Sequence, residues 1–403
     1  MERIKKTCPS NLSSTLLAFI LLAALSALGT NAAAQQEKII SESGSGTGVI
    51  FDSAGNLYGA NSNEIYELSP QAGLWQQTIL YSFTTDEDPL CNLVFDSAGN
   101  LYGVTISGRN GDLGTVFELK NSGSGTWTEE TLFTFPLGGK LGGSPYGSLI
   151  FDAAGNLYGT TFYGGAYGLT SQNTGGTVFE LVHRSDGGWA EKVLHSFGNG
   201  SDGIEPYANL IFDAAGNLYG TTTHGGAYGA GIAFELMPQA GGGWREKILH
   251  NFGNGSDGQF PYTGLTLDAS GNLYGSTTNG GTYNGGTAFE LIPQAGGGWK
   301  EKILHHFGNA GDGSYVSSAL IFDSAGNAYG NTFFGGAYSE GIVFELTPHS
   351  NGAWSEKILH AFGNDSDGWG ALSNVTFGPS GNLFGTTQSG GTAEGGIVWE
   401  VIH

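Results

Sequence analysis

One phrase, Phe-Asp-Ala-Ala-Gly-Asn-Leu-Tyr-Gly-Thr-Thr in its fullest form, recurs seven times between residues 51 and 386. The copies begin at Phe51, Phe95, Phe151, Phe212, Leu267, Phe322 and Phe377, and the later ones lie 55 residues apart. Such a period suits one four-stranded blade per repeat, a unit that buries its faces only when stacked against neighbours. A residue present in every copy is therefore explained first by the folding of the repeat.

Residues 207–257 serve as the type copy. Tyr207 to Phe212 is a short apolar run, and Asp213-Ala-Ala-Gly-Asn217 follows as a turn in which Gly216 takes the left-handed position. Leu218 to Thr223 reads as the second strand. A glycine-rich connection from His224 to Gly231 leads into Ile232 to Leu236, and a second turn from Pro238 to Gly243 leads into Trp244 to Phe252. Aromatic and β-branched residues occupy both faces, as in a sheet packed between two others. Glycine, 72 of 403 residues, recurs at fixed offsets beside aromatic residues, which marks turns rather than low complexity.

The fourth strand shows how the ring closes. Trp75, Trp127, Trp189, Trp244, Trp299 and Trp354 open six copies of it, but the seventh repeat ends at Val401-Ile402-His403 after its third strand. Gln36-Glu37-Lys38-Ile39-Ile40-Ser41 echoes Arg245-Glu246-Lys247-Ile248-Leu249-His250 and supplies the missing strand. The expected fold is all-β, a seven-bladed β-propeller of four-stranded antiparallel blades closed by the N-terminal strand, which leaves no sheet edge exposed. Residues 35–403 form one domain: 35–47 are the outer strand of the last blade and its link, and 48–403 the seven repeats.

Residues 1–34 read as a signal peptide. Arg3, Lys5 and Lys6 precede an apolar run from Leu16 to Leu28, and Ala32-Ala33-Ala34 offers a cleavage site. A span needs roughly 20 apolar residues, more than this run supplies, so a secreted, periplasmic or surface-exposed chain without a transmembrane segment is expected. Cys8 leaves with the signal, and Cys91 alone remains, which excludes an internal disulfide. The net charge of −22 becomes about −24 after cleavage and argues against nucleic acid as a partner. A monomer is expected.

The repeat phrase, followed at fixed intervals by Gly-Gly-Ala-Tyr-Gly, Val-Phe-Glu-Leu and Glu-Lys-Ile-Leu-His, resembles the choice-of-anchor tandem repeat GloVer-containing proteins of bacteria over essentially the whole mature chain. That resemblance implies an exported repeat protein, often with a C-terminal surface anchor, and carries no biochemical activity with it. No such anchor is expected before His403. A likeness limited to the Asp-x-x-Gly-Asn turn extends to other six- and seven-bladed propellers, lyases and lactonases among them.

Several repeated polar residues have structural explanations. Glu67, Glu118, Glu180, Glu235, Glu290, Glu345 and Glu400 share one position, opposite Lys192, Lys247, Lys302, Lys357 and, through closure, Lys38; cross-strand pairing is the expected role. Thr78 and Glu130 replace the lysine in blades one and two, so pairing is not the whole explanation. His195, His250, His305 and His360 end strand four in different blades, too far from one another to share a metal. The Gly-Asn-Gly-Ser-Asp-Gly loop makes calcium the candidate cofactor, with Asp202, Asp257 and Asp367 as ligands, yet its oxygens are few for a cation that takes about six to eight. Turn chemistry accounts for the same residues. No Gly-x-Ser-x-Gly, His-Glu-x-x-His or Cys-x-x-Cys signature is present.

Function is expected where copies differ. The loops between strands two and three and those between blades emerge on one face. One slot there changes from blade to blade: Ser107, Tyr163, His224, Asn279, Phe334 and Ser389. Tyr167, Tyr228, Tyr283 and Tyr338 are expected beside it, with Phe260, Tyr315 and Trp369 from the interblade loops. Rings next to amides and hydroxyls suit sugar or peptide ligands. The non-repeated charges Asp86, Glu87, Asp88, Arg109, Asp112 and Lys140 map to the same face. The leading expectation is a binding or scaffold module for an extracellular glycan or protein, without catalysis. The alternative is a lyase or hydrolase acting on a carbohydrate or lactone-like substrate, with Asp88 or His224 as base and Arg109 or Lys140 stabilising an anion.

Overall fold

The computed structural model describes residues 37–403 apart from 45, 85, 109–110, 124, 169–173, 186, 365–366 and 393. The signal segment and Arg109 lie outside the described residues. Among the described residues there are strands and turns but no helix long and apolar enough to cross a membrane.

Seven antiparallel sheets of four strands form the blades of a propeller. In the type blade the order from channel to rim is Ile211–Phe212, Leu218–Thr222, Ile232–Pro238 and Trp244–Asn251. The ring closes as the terminal repeats require: Glu37–Ser41 pairs antiparallel with Val398–Val401, Lys38 opposite Glu400 and Ile39 opposite Trp399. The innermost strand is shorter than the apolar run Tyr207 to Phe212. Its first residues leave the ladder and bond sideways instead, the Asn209 side chain accepting the Ser148 N–H of the preceding blade at 2.8 Å.

Each position of the repeated phrase has a visible cause. Asp213 accepts the Ala215 and Asn217 N–H groups at 2.8 and 2.9 Å, and its second oxygen accepts from the Asn217 amide and the Tyr219 hydroxyl. That hydroxyl also lies 3.0 Å from Glu235, which is 3.5 Å from Lys247. A polar chain thus crosses the blade from turn to outer strand, so the repeated glutamate answers the tyrosine as well as the lysine. Blade seven loses the aspartate and the tyrosine together: Gly378 and Phe384 stand in their places, Asn382 donates to Glu400 at 2.7 Å, and Glu400 keeps its lysine, Lys38, at 3.9 Å. In blade two, where Glu130 faces Glu118, Lys120 sits between them and pairs with both.

The glycine and first threonine of the phrase join the blade to its surroundings. A Cβ on Gly220 would lie 2.7 Å from the Phe234 ring, and the equivalent glycine meets the strand-three aromatic in every other blade. The Thr221 hydroxyl donates to the Thr263 carbonyl of the next blade, and Thr386 donates to Thr47 across the closure at 2.7 Å. Between blades, Phe197 packs on Phe234, Phe252 on Phe289, and Phe307 on Phe344, with centroids 4.9–5.0 Å apart. These rings are fully buried.

Two stability outcomes follow. Gly220→Ala forces a methyl into the Phe234 ring and is expected to cost about 1–3 kcal/mol, the usual range for overpacking, seen as a lower urea midpoint. Deleting residues 37–43 leaves the outer edge of Val398–Val401 unpaired and is expected to lower Tm markedly; an unchanged melting curve would refute the closure.

Candidate functional site: a tyrosine-lined channel mouth

The variable loops meet where the chain leaves one blade's rim and turns into the next blade's inner strand. Gly203–Ile204 pairs with His224–Gly225, placing Ile204 opposite His224. The same extension sets Gln259 opposite Asn279, Ser314 opposite Phe334 and Trp369 opposite Ser389. The following residue takes the left-handed conformation, at Ser144, Glu205, Phe260 and Tyr315, with φ of 51 to 62°. Such angles are uncommon outside glycine, and here they turn the chain into the central channel.

Tyr146, Tyr207 and Tyr262 follow directly on Pro145, Pro206 and Pro261 and point into the channel mouth with Tyr315. They line a cavity of about 300 Å³ with Thr278, Ser317 and Gln388 among its polar walls. Tyr146 and Tyr207 stack with centroids 4.7 Å apart and planes 22° from parallel, and Tyr262 meets Tyr207 edge-on at 5.4 Å. Burial pushes the Tyr207 hydroxyl up to about 12, so it remains a donor at neutral pH. Of the four, only Tyr315 is expected on this face from the sequence, which reads Tyr207 as the start of a strand and gives Tyr146 and Tyr262 no role. The signal was the Pro-Tyr pair at one repeat position in three consecutive copies.

Carboxylates flank the ring on two sides. Glu205 lies 2.7 Å from His224 Nδ1 and accepts from the Thr174 hydroxyl at 2.7 Å. The hydrogen bond from His224 holds the Glu205 carboxyl below its ordinary value despite burial, and the same carboxylate acts electrostatically on Tyr262. Asp88, aligned with Glu205, acts similarly on Tyr146.

The sequence-derived candidates separate into two groups. Tyr163, His224, Asn279, Phe334 and Trp369 stand on the extensions around the mouth. Tyr163 packs edge-on against Phe162, His224 lies over Phe260 at 4.9 Å, and Phe334 meets Tyr315 at 6.1 Å. Tyr167, Tyr228, Tyr283 and Tyr338 do not join them. Two consecutive left-handed glycines, Gly225 and Gly226 in the type blade, reverse the loop and carry Tyr228 outward beside Gly253. Tyr167 and Tyr283 cover grooves between outer strands. Lys140 is exposed and Asp88 half-buried, and Glu87 is buried with Thr84 donating to it. Cys91 is enclosed beneath the mouth, its sulfur accepting the Val104 N–H and its thiol pushed up to about 12 by burial.

The outer-strand histidines do not meet one another, as expected, but each meets two carboxylates. His195 Nε2 is 3.1 Å from Asp202 and 3.8 Å from Glu246 of the next blade. Asp202 uses its other oxygen to accept the Gly203 N–H at 2.7 Å, so the aspartate of the Gly-Ser-Asp-Gly loop faces the imidazole and its own turn.

A family model described as the Gloeobacter/Verrucomicrobia repeat matches residues 167–399. The chain belongs to that repeat family. No curated protein sequence matches it. Among solved structures, the repeat protein is similar to the extracellular domain of a one-component system from B. thetaiotaomicron, at 13% identity and a TM-score of 0.56 over 91% of this chain and 40% of that one. An ancestral GH74 enzyme matches at 11% identity and a TM-score of 0.55, over 90% of this chain and 48% of the other. A protein described as a 6-phosphogluconolactonase from Bacteroides uniformis matches at 14% identity and a TM-score of 0.51, over 83% of this chain and 90% of its own. At such identities the likeness is one of fold. The chain spans less than half the length of the first two.

One seam offers a clean pH measurement. Glu191 occupies the same repeat position as Glu246 but faces a seam where Phe133 replaces the histidine, and burial pushes its carboxyl up to about 7. A raised carboxyl contributes stability at low pH that is lost as pH rises from its unfolded value through the folded one. Glu191→Gln is therefore expected to match the native protein near pH 4.5 and to melt higher above pH 7, with the difference in Tm growing across that window.

Proposed function

We propose that this protein is an exported glycan-binding propeller that takes a short saccharide into the tyrosine-lined channel mouth. The observation that carries this reading is the stacked Tyr146–Tyr207 pair at the wall of a cavity of about 300 Å³. Flat aromatic area beside hydroxyls and amides is what a sugar ring requires: C–H faces rest on the rings while polar groups bond its hydroxyls. A cavity of this size admits one or two sugar rings rather than a folded protein. With Asp88 and Glu205 at the mouth and a net charge of −22, neutral or amino sugars are favoured over uronic acids. The basic and apolar N-terminal segment supports export to the periplasm, the cell surface or the medium.

A hydrolase reading draws on one specific observation, the Glu205–His224 pair 2.7 Å apart, whose carboxylate acts electrostatically on Tyr262 of the cavity wall. A carboxylate orienting an imidazole can serve as a general base. Binding is the preferred reading because the sequence offers no assembled nucleophile and the Cys91 thiol is buried and protonated.

The two readings part in one experiment. A glycan array of neutral and amino-sugar oligosaccharides should give a specific ligand, and Tyr207→Ala should weaken it at least tenfold by calorimetry with an unchanged fold. In the binding reading His224→Ala leaves the ligand intact and alters affinity only modestly. Turnover of a bound oligosaccharide that His224→Ala abolishes would replace it with the hydrolase, and an empty array would sink both.

A further inference from the structure

Four consecutive seams between blades carry the same three side chains: His195, Asp202 and Glu246; His250, Asp257 and Glu301; His305, Asp312 and Glu356; His360, Asp367 and Glu37. The histidine ends one blade's outer strand, the aspartate lies seven residues on, and the glutamate comes from the next blade's outer strand. The last seam is completed by the N-terminal strand.

In every cluster His Nε2 lies 2.9–3.1 Å from an aspartate oxygen. It also lies 3.8–3.9 Å from a glutamate oxygen. The three ligand atoms fall within 4.8 Å of one another. A cation placed about 2.0–2.2 Å from each of three donors holds them roughly 3–4 Å apart, the zinc geometry. The two carboxylates of each cluster have oxygens within 4.8 Å of one another, Glu246 with Asp202, Glu301 with Asp257 and Glu356 with Asp312. Among the described residues, each of these carboxylates has an imidazole, not a lysine or arginine, as its ion-pair partner. Two facing acids in a half-buried seam call for a shared proton or a cation, and an ion held between them and the imidazole meets that demand.

The other three seams act as an internal comparison. Ser41 donates to Gln77 at 2.9 Å, the Tyr81 hydroxyl lies 3.5 Å from Glu129, and Phe133 faces the Glu191 seam. Where the histidine is lost, no seam keeps the full set of imidazole and two carboxylates. Two of the intact clusters lie in surface grooves: Tyr167 stands over one that reaches His195, Asp202 and Glu246, and Tyr283 over one that reaches His305, Asp312 and Glu356.

We propose that these four seams are divalent transition-metal sites, each formed by one imidazole and two carboxylates from adjacent blades, with zinc as the fitting ion. The fourth coordination position faces the groove and takes water. Calcium is disfavoured by the nitrogen donor and by the small number of oxygens, since it gathers about six to eight at 2.3–2.6 Å. Each ion ties one outer strand to the next, so its role is to pin the rim of blades three to seven.

The test uses the full mature protein, stripped with a chelator and titrated with zinc chloride. Calorimetry and elemental analysis should give about four zinc ions per chain, a higher Tm with zinc than without it, and no comparable response to calcium. X-ray absorption should report nitrogen and oxygen ligands at about 2.0–2.1 Å. His250→Gln should reduce the count by one. Should that variant fail to fold, Glu301→Gln, which keeps the side chain's shape, should do the same. No stoichiometric uptake, or a count unchanged in both variants, would overturn the proposal and leave the clusters as proton-sharing hydrogen-bond groups.

Discussion

Every blade depends on a close approach between a glycine on strand two and an aromatic ring on strand three. The ring of Phe234 lies where a side chain on Gly220 would stand, and the preceding blade's Phe197 packs against it from the other side. Removing the side chain at one position lets the sheet carry a large ring in its middle, and that ring is what the neighbouring blade buries. Each unit therefore completes the core of another, and only a closed circle leaves none incomplete. The N-terminal strand meets the same demand, supplying the outer strand that the last repeat lacks.

The phrase that dominates the sequence is spent on this assembly. Its aspartate holds the turn, its tyrosine and the distant glutamate bridge three strands, and its first threonine bonds to the next blade. Blade seven supports the reading, because the aspartate and tyrosine are replaced together there. Residues so committed to one another are poorly placed to serve a ligand. What remains free is the short stretch between the left-handed residue and the inner strand, where no ladder bond fixes the side chain's identity, and there the tyrosines gather.

Legibility followed the range of the interaction. Strand order, turn chemistry, the glutamate–lysine pairing and the closure all involve residues at fixed offsets, so a repeat displays them as alignment. Tyr163, His224, Asn279 and Phe334 interrupt the repeat at one position and Trp369 pairs with that position in blade seven, which is why their common placement on the loop extensions could be read from the sequence. Tyr167, Tyr228, Tyr283 and Tyr338 were assigned to the same place and stand elsewhere, since a pair of left-handed glycines reverses their loop. Tyr146, Tyr207 and Tyr262 were overlooked because an aromatic residue before an apolar run looks like a strand.

The repeat spacing and composition alone determined the blade, the number of blades and the strand that closes them, because each depends on local periodicity or on matching two similar segments. Which side chains from different repeats share a space was decided only by the tertiary structure. His195 and Glu246 are 51 residues apart, yet lie 3.8 Å from each other, and Tyr146 stacks on Tyr207 from another blade. Those distances depend on how far each blade is rotated about the channel axis, a quantity set by packing across the seams and invisible in any one repeat.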